Sequence, residues 1–359
     1  MELTGVERIG RQLKHQSVDR IGCMESFWSH TAQHWVDQGK LRIGEDPMRH
    51  FGLDMRTSWA FNLKIDHQKA DELIDEDADT QTFLDGNGAK LRRHKAHAST
   101  PEHIGYAIAD RADWEAKAKP FLTPDPARIN LEAYIEARKK AAADNAFFCW
   151  GGVNVFEAIH PIAGHENMLM GMALDPDWVL EMADTYASLL IGLFEELFAR
   201  GGKPDGIWFF EDMGFKGRPF MSPEMYKELI QGAHKRTIDF AHGHNLPVIM
   251  HSCGFVEPLL PGMIEAGIDC LQAIEVKAGM DVLKIHREYG DRIALMGGLD
   301  VRPVANNDIE GIRRELESKL PVLKQGNGFI FHSDHSIPES TDYDSYRYFL
   351  DTGLKLGTY

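Results

Sequence analysis

Val248-Ile249-Met250-His251-Ser252-Cys253-Gly254 begins as an apolar run and ends in two metal-ligating side chains and a glycine. Bounded by Pro247 and Gly254, so short a run fits a strand buried on both faces, the habit of a parallel sheet. His251 and Cys253 stand one residue apart, so on a strand their side chains emerge on the same face. A thiolate and an imidazole converging at the carboxyl end of a strand suit zinc. Two ligands do not complete a site, so the rest of the chain must supply at least one more.

Outward from this stretch the rhythm is regular. Downstream the pattern predicts a helix over 257–266 stopped by Gly267, a strand over 268–274 ending near Glu275, and a helix over 280–289. A strand over 292–297 follows, ending at Gly298-Leu299-Asp300, then a helix over 308–320. The last strand, 328–332, runs into Ser333-Asp334-His335-Ser336-Ile337-Pro338, and a helix over 342–356 closes the chain. Upstream, Ser222-Pro223 opens a long helix that stops near Gly243, and strand 206–210 ends at Glu211-Asp212. Helix 176–200 has Asp175 as cap, Pro176 at its first position and Gly201-Gly202 at its end. Before it, Phe147-Phe148-Cys149-Trp150 reads as a strand, with Phe156, Glu157 and His160 just beyond.

The N-terminal part is less regular. Thr4 and Glu7 have capping-box spacing for an opening helix over 4–15. Ile21-Gly22-Cys23-Met24 is a candidate first strand and Thr57-Ser58-Trp59-Ala60-Phe61 a candidate second. The acidic run 66–79 reads as a solvated face, and Asp85-Gly86-Asn87-Gly88 predicts an antiparallel hairpin. Strand–helix units repeated at short intervals predict parallel strands with crossover helices. With about eight strands and polar residues after them, the expectation is an α/β chain forming a TIM (β/α)8 barrel. The domain expected is a single one over 1–359 with N-terminal decorations. An open doubly wound sheet is the alternative, weakened by the lack of a glycine-rich phosphate fingerprint.

Composition narrows the function. A formal charge of −16 argues against broad binding to nucleic acid or anionic membrane. Cys23, Cys149, Cys253 and Cys270 have no framework spacing, which fits free thiols in a reducing compartment. No apolar signal core opens the chain and no stretch approaches a membrane span, so a soluble cytoplasmic protein is expected. A homodimer is left open.

A barrel gathers the carboxyl ends of its strands at one mouth. That would bring together Glu211, Asp212, His251, Cys253, Glu275, Asp300, His332, Asp334 and His335. His335 or His332 is the candidate third ligand, leaving an open position for water or substrate. Glu211, Asp212 and Asp300 would orient imidazoles or handle protons. Phe27 and Trp28, just past the first strand, fall where a barrel places a substrate loop. Plainer readings exist for each: H-x-C is a short motif, His332 lies in an apolar run, Asp300 can cap a turn, and Phe27 and Trp28 can pack a rim.

The chain also resembles a known family. Phe210-Glu211-Asp212-Met213-Gly214, Ser222-Pro223-Glu224-Met225-Tyr226, His251-Ser252-Cys253-Gly254, Met296-Gly297-Gly298-Leu299-Asp300 and His335-Ser336-Ile337-Pro338 form an ordered set. That set is similar to the uroporphyrinogen decarboxylase superfamily, and within it to the zinc- and cobalamin-dependent methyltransferases. The resemblance implies a TIM barrel with Zn2+ on His251 and Cys253. The third ligand in that branch is a cysteine in a C-G-x-x-P segment, and His335 occupies its place here. Uroporphyrinogen decarboxylases also carry a histidine there, without metal. They lack the H-x-C pair, however, and carry an R-Q-A-G-R-Y segment where this chain has Met24-Glu25-Ser26-Phe27-Trp28-Ser29, without arginine. The expected function is therefore methyl transfer between a small O-, S- or N-methylated substrate, or a thiol acceptor, and a separate corrinoid-binding protein. The chain has no D-x-H-x-x-G segment with which to carry cobalamin itself. Phe27, Trp28 and Phe156 would line the substrate pocket and Glu157 would touch substrate. A decarboxylase or lyase acting on a small carboxylated substrate without corrinoid is the alternative, and a binding module without chemistry a third reading.

Overall fold

The computed structural model describes residues 2–96 and 100–359. Its strands in chain order are β1 Met55–Ser58, β2 Glu72–Glu76, β3 Thr80–Leu84, β4 Lys90–His94, β5 Glu102–Gly105 and β6 Phe147–Val153. They continue with β7 Gly206–Phe210, β8 Gly214–Phe215, β9 Arg218–Pro219, β10 Val248–Ser252, β11 Cys270–Ala273, β12 Ala294–Gly297 and β13 Phe329–Ile330. One seven-stranded sheet runs β1-β6-β7-β10-β11-β12-β13, and every pairing in it is parallel. The helices between these strands supply the crossovers that parallel pairing needs.

This sheet curls around its own apolar filling. Met55, Cys149, Trp208, Ile249, Cys270, Met296 and Ile330, one residue from each strand, belong to one buried cluster. Met24 joins it, and Ile9 of the N-terminal helix Gly5–Gln12 and its C-cap Leu13 close it. That helix carries the Thr4–Glu7 capping box expected from the sequence. The ladder does not run continuously round the ring. Between β13 and β1 the gap is spanned by residues 22–24. Met24 N–H donates to Phe331 O at 3.0 Å, Phe331 N–H to Gly22 O at 2.8 Å, and Asp54 N–H to Cys23 O at 2.8 Å. The expected first strand is thus a single β-bridge. A buried network of Arg8, Asp19, Arg20 and Asp54 holds it, with Arg8 2% exposed.

Other departures have local causes. The second strand sits at Met55–Ser58 rather than 57–61. The helix expected from Ser222 to Gly243 is two, Pro223–Leu229 and Gln231–Gly243, separated at Ile230 (φ −118°). Tyr226 Oη and His234 Nδ1, 2.9 Å apart, staple them together. The hairpin at 85–88 joins β3 and β4, within an antiparallel sheet β2-β3-β4-β5. The acidic run contributes its edge strand β2, exposed along its whole length. A helix absent from the sequence reading, Val155–Leu174, follows β6 directly. It contains Pro161 and breaks at Gly164 (φ 75°), where a Cβ would run into the Tyr106 ring.

Candidate active site

Side chains alternate along a strand, so the residues two beyond the interior cluster form the next layer toward the carboxyl end. Phe210 follows Trp208, His251 follows Ile249, Gln272 follows Cys270 and His332 follows Ile330. The register pairs His251 with Phe210 on one side and Gln272 on the other. Phe210 leans on the imidazole at 4.8 Å between ring centroids. Gln272 Oε1 lies 2.5 Å from His251 Nδ1, which fixes the ring and leaves Nε2 facing the mouth.

Three donor atoms converge there. Those of Asp212, His251 and Cys253 all lie within 4.8 Å of one another. Cys253 Sγ is 3.3 Å and Asp212 Oδ1 3.2 Å from His251 Nε2. Asp212 Oδ1 also accepts the Cys253 N–H at 2.9 Å. The turn behind them is tight: Gly254 adopts φ 81°, and a Cβ there would collide with the backbone of Gly214. Burial works against charge on His251, but Cys253 and Asp212 outweigh it and push its pKa well above the usual imidazole value. Burial pushes the Cys253 thiol up, with His251 opposing. Asp212 is held down at about 2; burial opposes this, and His251 and the Cys253 N–H prevail.

His335 stands outside this group. Ser333 Oγ donates to the His335 carbonyl at 2.5 Å and lies 3.1 Å from Glu25 Oε1, so the loop after β13 is pinned by its backbone. The His335 ring stacks toward Trp28 at 6.4 Å, with Nδ1 3.3 Å from Ser336 O. The structure therefore brings a carboxylate, Asp212, where the sequence reading looked for a second imidazole. His332 is buried, its Nδ1 2.5 Å from Ser333 O, and among the described residues its Nε2 has no partner. Burial lowers its pKa to about 4.

The other carboxylates have structural employment. Glu211 is fully buried. It accepts the Phe156 N–H at 3.0 Å, the Glu157 N–H at 2.7 Å and a bond with His234 Nε2 at 2.9 Å. It thus caps a helix whose own N-cap residue, Asn154, makes no side-chain cap. Asp300 caps the helix Val301–Ala305 and grips Arg302, with Nη2 2.6 Å from Oδ2. Asp334 accepts the N–H groups of Val276 and Val301 at 2.8 and 2.9 Å. Glu275 accepts the Gly254 N–H at 2.6 Å.

Of the expected substrate contacts, Phe27 is enclosed by Trp35, Phe51 and Tyr346, and Phe156 is fully buried against Phe220. Both pack against neighbouring rings. Glu157 does reach the mouth. Its carboxyl is pushed up to about 9 by burial first and then by Asp212 and Glu211. Its donor atoms group with those of His160 and His165 within 4.8 Å. Trp59, assigned to a strand in the sequence reading, instead projects beyond β1 and lies 4.8 Å from Phe210. It borders a cavity of about 350 Å³ with Phe61, Trp150 and Val153. A second cleft of about 310 Å³ opens on Cys253, lined by Phe215, Lys216, Glu275 and Lys277.

Glu25, on the bridging segment, was not singled out from the sequence. It accepts bonds from the N–H groups of Ser26 at 2.9 Å and Ser333 at 3.1 Å, and its Oε1 lies 3.1 Å from Ser333 Oγ. Burial nevertheless pushes its carboxyl up to about 8. A carboxyl whose folded pKa exceeds the unfolded one binds its proton more tightly when folded. Its contribution is complete below the ordinary value of 4.5 and is lost as pH rises toward 8. Glu25→Gln is therefore expected to flatten a fall in unfolding free energy of a few kcal/mol across that window. Urea unfolding at a series of pH values checks this; parallel curves for the two proteins would show that Glu25 titrates normally.

Residues 146–355 match the family model described as uroporphyrinogen decarboxylase (URO-D). A methylated-thiol–coenzyme M methyltransferase of Methanosarcina mazei is 29% identical over 140 residues, 39% of this chain and 35% of that relative. The match thus spans about a third of the relative's length. A solved structure described as a methyltransferase from Methanosarcina mazei has the same fold, with a TM-score of 0.66 and 15% identity over 98% of each chain. No helix among the described residues is long and apolar enough to cross a membrane. With more than half of its residues matched by the family model, the chain belongs to the uroporphyrinogen decarboxylase family.

Proposed function

We propose that this protein is a methyltransferase that moves a methyl group between a small thiol or methylated compound and a separate corrinoid protein, using zinc held by Asp212, His251 and Cys253. The observation that carries this reading is the convergence of those three donors at the mouth of the sheet. A thiolate, an imidazole and a carboxylate make a donor set that fits zinc, and with three protein ligands a position stays open for substrate. Bound zinc would supply Lewis acidity, holding a substrate thiol as its thiolate or polarising a methylated heteroatom.

The chain's own residues have separable tasks. Gln272 fixes the His251 tautomer through Nδ1. Asp212 holds the Cys253 backbone while facing the imidazole. Phe210 covers one face of that imidazole, and Trp59 packs on Phe210. The cleft beside Cys253, with Lys216 and Lys277 on its rim, suits a short substrate with an anionic tail. We take the curled sheet as a (β/α)8 barrel over 1–359, with residues 22–24 in the eighth position.

The test is metal analysis of the purified protein together with mass-spectrometric detection of thiol methylation from methylcobalamin. At least one zinc per chain and methylated product are expected. Carbon dioxide released from carboxylated substrates by metal-free protein, without methyl transfer, would establish the decarboxylase reading instead. Gln272→Ala is expected to weaken zinc binding or activity ~10–100-fold, the usual effect of removing a partner that orients a ligand. Competition with a chromogenic chelator measures it.

A further inference from the structure

A second set of donors lies on the kinked helix Val155–Leu174, and it is independent of Cys253. On a straight helix positions 160 and 165 point about 140° apart. The break at Gly164 swings the second half of the helix so that the His160 and His165 rings stack 3.9 Å apart. Glu157 lies one turn earlier on the same face as His160, with Oε1 3.6 Å from His160 Nδ1, too far for a hydrogen bond. Glu157 Oε2 and His165 Nε2 are both buried and, among the described residues, make no hydrogen bond. Among the described residues no lysine or arginine pairs with Glu157. Phe220 closes one side of the His165 ring at 4.7 Å, and His103 from β5 flanks His160 at 5.0 Å.

Buried polar atoms without partners are costly, and two in one three-residue cluster call for a common ligand. We propose that Glu157, His160 and His165 form a second metal site that takes a divalent first-row transition ion. Two imidazoles and a carboxylate are the donors such ions prefer over calcium or magnesium. The positive end of the helix dipole would oppose a cation here. Glu211 offsets it by accepting the Phe156 and Glu157 N–H groups, and Asp212 adds negative charge nearby. The proposal stands whether or not Cys253 holds zinc.

Cobalt(II) titration of the full-length metal-free protein separates the two sites. A thiolate-to-cobalt charge-transfer band reports Cys253, whereas the nitrogen and oxygen donors give only weak ligand-field bands. Wild type is expected to take up two ions, with the charge-transfer band tracking only one. His165→Ala and the near-isosteric Glu157→Gln should each weaken the other ion at least ~100-fold while keeping the band. Cys253→Ala should lose the band and keep the nitrogen–oxygen ion. Circular dichroism checks that each variant is folded. Uptake by folded Glu157→Gln and His165→Ala identical to wild type would overturn the second site and leave the thiolate site standing. A wild type that never develops the band, yet binds an ion lost in His165→Ala, would support the second site and remove the first.

Discussion

Cys253→Ala is expected to release bound zinc and to lower kcat/KM for methyl transfer by more than ~10³-fold, about 4 kcal/mol of transition-state stabilisation. The donors come from two adjacent strand ends, and removing the thiol leaves only His251 and Asp212, 3.2 Å apart. His251→Ala should behave alike, because it removes the atom the other two face. Asp212 and His335 decide between the geometry and the sequence motif. Zinc lost from Asp212→Ala and retained in His335→Ala fits the convergence of donors. The reverse pattern would mean that the loop after β13 rearranges when metal binds. Inductively coupled plasma mass spectrometry on the four variants reads the result directly.

Glu211→Ala is expected to cost roughly 3–5 kcal/mol of stability, since leaving a buried donor without its acceptor costs about 1–3 kcal/mol each. The loss leaves two helix N–H groups and His234 Nε2 without their acceptor in a fully buried position. Glu211→Gln, which keeps one acceptor oxygen for the helix N–H groups, should lose less. Guanidinium unfolding measures both. If Glu211 were instead a proton-handling group, Glu211→Ala would keep its midpoint and lose only activity.

The sequence carried the parts of the fold that depend on period. Alternation put His251 and Cys253 on one face, and the Asp175-Pro176 opening and Gly201-Gly202 stop framed the helix Pro176–Gly201. What it did not carry were features that depend on register and on breaks. Gln272 meets His251 only because β10 and β11 pair with those residues opposite each other. The helix Val155–Leu174 stayed hidden because Pro161 and Gly164 interrupt its pattern, and the interruption is what brings His160 to His165. Asp212 was legible as an acid after a strand, but its place beside Cys253 comes from β7 and β10 being neighbours. Glu211, its sequence neighbour, points the other way along an alternating backbone and serves the helix instead.

Asp334 gives the mouth a mechanical property. Its one carboxylate holds both the turn after β11, through Val276, and the start of the helix after β12, through Val301. Val276 donates to Oδ2 and Val301 to Oδ1, so a shift of this one buried side chain releases both segments. Opening that moves Asp334 is therefore a joint event, exposing the amide protons at both positions together. A docking macromolecule would meet these two loops as a single rigid lip.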